Sequence, residues 1–230
     1  MVDRELAERW ASVTEQVADA ARSAGRDPSE LTTIVVTKYH PVSLLRDLLE
    51  LGVADFGENR HQEAQEKAAE LAGTPARWHY IGQLQSKKAR QVKRYASSIH
   101  SVDRLALVPL LDAGPPEPGQ APLDVFLQVN LTDDPDRGGA APGEVEPLAE
   151  ALAAAPGLAL RGVMAVAPLG EEPRPAFARL RAISERVRSI DPGATDISAG
   201  MSNDFAEAIA EGATHLRIGS AITGNRPARP

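Results

Sequence analysis

Lys38 is the residue whose type and place first suggest chemistry in this chain. It follows a β-branched run, Thr32-Thr33-Ile34-Val35-Val36-Thr37, which reads as a strand covered on both faces. A partly desolvated lysine at such a strand end becomes an amine nucleophile for carbonyl compounds. The same position also suits a lysine that snorkels to solvent. A second feature is a pair of glycine-bearing loops, Gly200-Met201-Ser202 and Gly219-Ser220-Ala221. Each opens a helical segment, with Ser202 a candidate N-cap, and unpaired N–H groups with the helix dipole suit a phosphate there. Glycines also serve plain turn geometry, and the stretch 219–224 lacks the lysine of a nucleotide P-loop. Arg217, between Leu216 and Ile218, has the strand parity to point inward. An always-charged guanidinium there needs an acceptor, which a ligand ring nitrogen, a phosphate or a buried carboxylate supplies.

The elements that must position these residues are legible in the hydrophobic pattern. Residues 3–24 form an amphipathic helix with Leu6, Trp10, Val13 and Val17 on one face, stopped by Gly25 and Asp27-Pro28. After the first strand, Pro41 suits the first turn of a helix carrying Leu44, Leu45, Leu48 and Leu49. The alternation repeats, with strands expected at 53–56, 78–81, 98–102, 123–130, 158–166, 196–198 and 215–218. Helices fall between them: one to about Leu71, a basic one from Ser86 to Tyr95, one capped by Asp103, then 143–155, 174–189 and 202–212. Eight strand–helix units predict an α/β fold, a (β/α)8 TIM barrel with an additional N-terminal helix. An open doubly wound sheet competes, since periodicity does not show closure, but even spacing without a long insertion favours the barrel. The expectation is one domain over residues 1–230, with a helix at 1–25, a Pro/Gly-rich loop at 114–119 and a short tail at 225–230. In a barrel, function gathers at the C-terminal ends of strands, where Lys38 and both glycine loops stand.

Composition narrows the partners. The 230 residues carry 25 Lys and Arg against 32 Asp and Glu, a net charge of −7, which argues against broad nucleic-acid or anionic-membrane binding. The absence of cysteine excludes disulfides, thiolate metal sites and cysteine nucleophiles. His40, His61, His79, His100 and His215 show no two-histidine metal spacing, so no metal is expected. No apolar run reaches the ~18 residues of a membrane span, and the start lacks a basic region followed by an apolar one. The default is a cytoplasmic protein. The run Lys87 to Arg94 reads as a solvated basic helix face, and Asp133-Asp134-Pro135-Asp136 fails the EF-hand spacing.

A lysine amine, a phosphate cradle and an arginine aimed at a ring are the three parts of a pyridoxal 5′-phosphate site. Five stretches then carry a resemblance: Val36-Thr37-Lys38, Phe56-Gly57-Glu58-Asn59-Arg60, Trp78 to Gln85, Gly200-Met201-Ser202-Asn203-Asp204 and Arg217-Ile218-Gly219-Ser220. In this order they resemble the YggS/PROSC family of pyridoxal phosphate homeostasis proteins, which is similar to the N-terminal barrel of alanine racemase. The resemblance implies that Lys38 carries the cofactor as a Schiff base and that Ser202, Gly219 and Ser220 hold its phosphate beside Met201. It further implies that Arg217 faces the pyridine nitrogen, that Asn59 lies near the ring and that His79 belongs to the site in a role it does not specify. It places Arg137-Gly138 in a polar loop at the barrel mouth. One departure is visible: Lys87 stands where family members usually have asparagine.

An arginine opposite the pyridine nitrogen disfavours its protonation and weakens the ring as an electron sink. Racemases of similar architecture add a second domain with an opposing tyrosine, whereas this sequence runs only six residues past Gly224. The expectation is a monomeric carrier and buffer of the cofactor in vitamin B6 homeostasis, meeting apo-enzymes transiently and without efficient catalysis. A small amino-acid racemase or lyase, or a Schiff-base sugar-phosphate aldolase, is the alternative. No catalytic residue is assigned.

Overall fold

A computed structural model describes residues 2–134 and 136–225. The chain begins with α1 (Arg4–Ser23), capped by the Asp3 carboxylate, which accepts from the Leu6 N–H. Strands and helices then alternate: β1 (Thr32–Val36), α2 (Val42–Glu50), β2 (Asp55–Glu58), α3 (His61–Glu70), β3 (Arg77–Tyr80), α4 (Ser86–Val92) and β4 (Ser98–Val102). The second half continues with α5 (Val108–Leu111), β5 (Leu123–Gln128), α6 (Val145–Ala153), β6 (Leu158–Met164), α7 (Pro173–Ile190), β7 (Asp196–Ser198), α8 (Phe205–Ala210), β8 (His215–Ile218) and α9 (Ser220–Thr223). All eight strands are parallel and each pairs with its neighbours, β8 closing on β1, so the sheet is the closed barrel and not the open alternative. Of the expected tail at 225–230, residues 226–230 lie outside the described residues.

Apolar residues outside the sheet build the principal core. Leu45 and Leu48 of α2, Leu148 and Leu152 of α6 and Phe177 and Leu180 of α7 are buried with strand residues such as Val35, Ile99, Val125 and Val163. The interior of the barrel differs. His79, His100 and His215, distant in the sequence, meet there around Phe126, whose ring lies 4.2 Å from His100 and 5.1 Å from His215.

Besides elements that end two or three residues short of the periodic reading, such as α4, β5 and β6, two features depart from it. The second strand was expected at 53–56 and runs Asp55–Glu58, because Gly57 and Glu58 continue the ladder against His79 and Tyr80. Gly57 is an interior strand residue: a Cβ there would press on Ile34 at 3.1 Å and Val36 at 3.3 Å. Asp103 does not cap a helix; it pairs with Arg104, and the segment behind it forms only a turn and the four-residue α5, with Pro109 in its first turn.

Gly162 marks the tightest approach between neighbouring strands. Its φ is +154°, and a Cβ would overlap the carbonyl of Asp196 on β7. Gly162→Ala must therefore part β6 from β7, and a loss of about 3 kcal/mol is expected from overpacking and backbone strain together. Urea unfolding of the variant against the parent protein measures it.

Candidate functional site

The C-terminal ends of the strands surround a cavity of about 660 Å³. Lys38, two residues beyond β1, is half-buried in its wall. Arg217 reaches it from β8, and Asn59 enters from the residue after β2. Met201 and Ser202 come from the loop after β7, Gly219 and Ser220 from the end of β8. Strand ends separated by 180 residues of chain are adjacent here because Ile34 pairs with Arg217 in the closing register.

Arg217 is 4% exposed and donates to the Ser198 hydroxyl at 2.7 Å and the Ala165 carbonyl at 2.8 Å. Both acceptors are neutral, and no carboxylate among the described residues lies within ion-pair distance of it. The buried carboxylate that would have given Arg217 a purely structural role is therefore missing from its contacts. Burial lowers its pKa to about 10, with Asp204 acting in the opposite sense from farther away. A buried guanidinium without a counter-ion is costly unless a ligand supplies acceptors. Asn59 points the same way, since its Oδ1 is buried and has no hydrogen-bond partner.

The residues expected to hold a phosphate also converge. Ser202 Oγ accepts a long bond, 3.4 Å, from the Ala221 N–H and so bridges the two glycine loops. Ser202 is not the cap expected of it: α8 starts after Asp204, whose carboxylate instead accepts from the Met201 N–H at 2.6 Å. α9 has only four residues, too few for a substantial dipole. What these loops offer to an anion is the hydroxyls of Ser202 and Ser220 and local N–H groups.

His79 stands apart from this wall. It sits inside the barrel, its Nε2 2.8 Å from Asp55 and its Nδ1 3.0 Å from His100 Nε2. His100 Nδ1 in turn lies 2.8 Å from the Ser198 hydroxyl that Arg217 contacts. With one proton on each ring the chain runs one way: Arg217 donates to Ser198, Ser198 to His100, His100 to His79 and His79 to Asp55. His79 touches the site only through this relay. Burial would push the Asp55 carboxyl up, but hydrogen bonds from His79 and Arg77 hold it well below the usual carboxylate range.

Sequence reading missed other parts of the wall. His40 and Asp204 line the cavity, as does the loop after β6, where Leu169 is 84% exposed at the rim. Lys87 is exposed on α4 and lines neither this cavity nor a second, polar hollow of about 440 Å³. That second hollow holds the expected mouth residues Arg137 and Gly138 together with Arg104. No group of three or more His, Asp or Glu side chains among the described residues is arranged to hold a metal ion.

A closed parallel barrel with a lysine, a buried arginine without a counter-ion and two serine–glycine loops at its mouth defines a class, and comparison with known proteins agrees. Residues 13–227 match the alanine racemase N-terminal domain family, and the chain belongs to it. Within that family it groups with the YggS/PROSC proteins. The Pyridoxal phosphate homeostasis protein of Pseudomonas aeruginosa is 42% identical over 224 residues, covering 96% of each chain. The protein of that name from Escherichia coli K12 is 38% identical over 229 residues, covering 96% of this chain and 97% of its own. Among solved structures, PipY of Synechococcus elongatus PCC7942, with PLP bound, superposes with a TM-score of 0.81 at 35% identity, over 95% of this chain and all of that one.

The interior histidines give the fold a measurable pH dependence. Burial pushes His215 down to about 4 and His100 well below its ordinary value of 6.5. Both are neutral when folded and protonate in the unfolded chain as pH falls through about 6.5, so the unfolded state binds more protons and stability drops. Each ring costs up to about 1.4 kcal/mol per pH unit in that window. Urea unfolding between pH 7 and 4.5 should show a shallower loss for His215→Asn than for the parent protein.

Proposed function

We propose that this protein binds pyridoxal 5′-phosphate and carries it reversibly as a buffer for vitamin B6 homeostasis. The observation that carries the reading is the buried Arg217 without a counter-ion in the same wall as Lys38 and the Ser202–Gly219–Ser220 cradle. The cofactor's aldehyde condenses with a lysine amine, releasing water, and the bond reverses when another amine takes its place. Lys38 supplies the amine. Ser202, Gly219 and Ser220 bind the phosphate, with Met201 covering one side, and Asn59 gives its unpaired oxygen to a donor on the ligand. Arg217 offers only donors, so it holds a ring nitrogen in the unprotonated, accepting form. That form is a poor electron sink, which favours storage over carbanion chemistry.

The tyrosines support the same reading. Among the described residues none lines the cavity: Tyr80 packs in the outer core and Tyr39 lies beneath Arg60. The racemase alternative needs a base opposite the lysine, and neither side chain is placed to serve. The reading extends to a monomeric, cytoplasmic protein that hands its cofactor to apo-enzymes by transient contact at the open mouth. No helix among the described residues is long and apolar enough to cross a membrane.

Incubation with pyridoxal 5′-phosphate should turn the protein yellow, and borohydride should fix the cofactor on Lys38 as one stable adduct by mass spectrometry. Lys38→Ala should give neither colour nor adduct. Trapping by borohydride with a sugar phosphate alone would favour the aldolase instead. Turnover of D- or L-alanine lost in Lys38→Ala would favour the racemase.

A further inference from the structure

The backbone around Lys38 is gripped by a buried charge cluster that the cavity itself does not use. Lys67 of α3 is 4% exposed, and its Nζ lies 2.8 Å from the Thr37 carbonyl, 2.7 Å from Glu58 Oε1 and 2.7 Å from Glu63 Oε1. Each of its three N–H donors thus has an acceptor. The Thr37 hydroxyl donates to the same Glu58 oxygen at 2.7 Å. Glu63 Oε1 also accepts the backbone N–H of Tyr39. The carbonyl before Lys38 and the N–H after it are therefore both held by side chains of one helix.

The turn they hold is strained. Tyr39 has φ +70°, and no other described residue besides glycine lies in the left-handed region. A tyrosine there persists only where its surroundings impose the conformation. Arg60 adds a second restraint, its guanidinium 5.6 Å from the Tyr39 ring centre. Burying Lys67 and Glu58 is itself costly, and Glu58 Oε2 has no partner at all. Aliphatic side chains of the kind α2 buries would fill that space at lower cost, so packing does not account for the cluster.

We propose that Glu63 and Lys67 are positioning residues for Lys38, fixing the strained turn at 37–39 so that the amine enters the cavity. This rests on Lys38 as the cofactor's anchor. Two readouts test it: the rate at which pyridoxal 5′-phosphate becomes fixable on Lys38 by borohydride, and hydrogen exchange of the 37–40 backbone in the protein without cofactor. Glu63→Ala should slow fixing about tenfold and speed exchange, since the strained turn is no longer imposed. Glu63→Gln, whose amide oxygen still accepts, should stay within about twofold of the parent. Adding Tyr39→Gly to Glu63→Ala should restore most of the rate, because glycine adopts this φ without strain. A folded Glu63→Ala protein with parental rate and exchange overturns the proposal, as does a slow one that Tyr39→Gly fails to restore. Should Glu63→Ala not fold, Lys67→Met takes its place, and an unchanged rate in it overturns the proposal equally. A parent protein that fixes no cofactor on Lys38 overturns the cofactor reading instead, while exchange still reports on the clamp.

Discussion

Everything at the mouth of this barrel depends on the pairing of its last strand with its first. Thr32, Thr33, Ile34 and Val35 lie opposite His215, Leu216, Arg217 and Ile218 in unbroken parallel register. A slip of one residue would turn Arg217 out of the barrel and carry Gly219 away from Val36, against which it packs. That ladder joins a lysine near the start of the chain to a guanidinium and a glycine loop near its end. Non-local pairing of this kind is slow to form and, once formed, fixes relative positions rigidly. Rigidity is what a site needs when its parts come from strands that share no local sequence.

The second constraint is the price of a polar interior. TIM barrels ordinarily fill the space between strands with branched aliphatic side chains. Here three histidines, a serine and an arginine occupy much of it, and each must find a partner or raise the energy of the fold. Arg217, Ser198, His100 and His79 do so by linking to one another, while His215 Nδ1 lies 2.9 Å from the Thr214 hydroxyl. The chain from Arg217 through Ser198, His100 and His79 ends on Asp55, so the guanidinium reaches an anion only through intervening dipoles. Its charge is therefore stabilised enough to stay in place but is not neutralised by direct contact. An acceptor arriving in the cavity meets a cation still able to bind it.

Legibility in the sequence follows from the same physics. Period and punctuation made the strand–helix alternation visible, because a parallel strand covered on both faces shows an uninterrupted apolar run. Lys38 and Arg217 were legible because their places relative to such runs can be counted. The relay role of His79 was not, since it depends on ring-to-ring distances among strands whose order in space no local pattern records. The Lys67 cluster was hidden for a more specific reason. Glu63 and Lys67 have the i, i+4 spacing of any surface ion pair. Their third partner, Glu58, becomes interior only because β2 runs past Gly57, which reads in sequence as a place for a strand to stop.

Gly57 and Glu58 also bear on the two polar systems of the barrel, which share no hydrogen bond among the described residues. At Gly57 the missing side chain leaves room for Ile34, Val36 and Ile81, an apolar layer at that level of the barrel. The histidine relay ends on Arg217, while the lysine–glutamate cluster ends on the backbone beside Lys38. On the proposed reading, one network sets the charge presented to a ligand ring and the other sets where the amine stands. A carrier needs those two properties to be set independently: the amine must be placed well enough to capture an aldehyde, while the ring stays electronically quiet. In this fold both systems draw a carboxylate from β2, Asp55 at its start and Glu58 at its end, but the relay runs across the barrel through β3, β4 and β7 while the cluster is completed by Glu63 and Lys67 of α3.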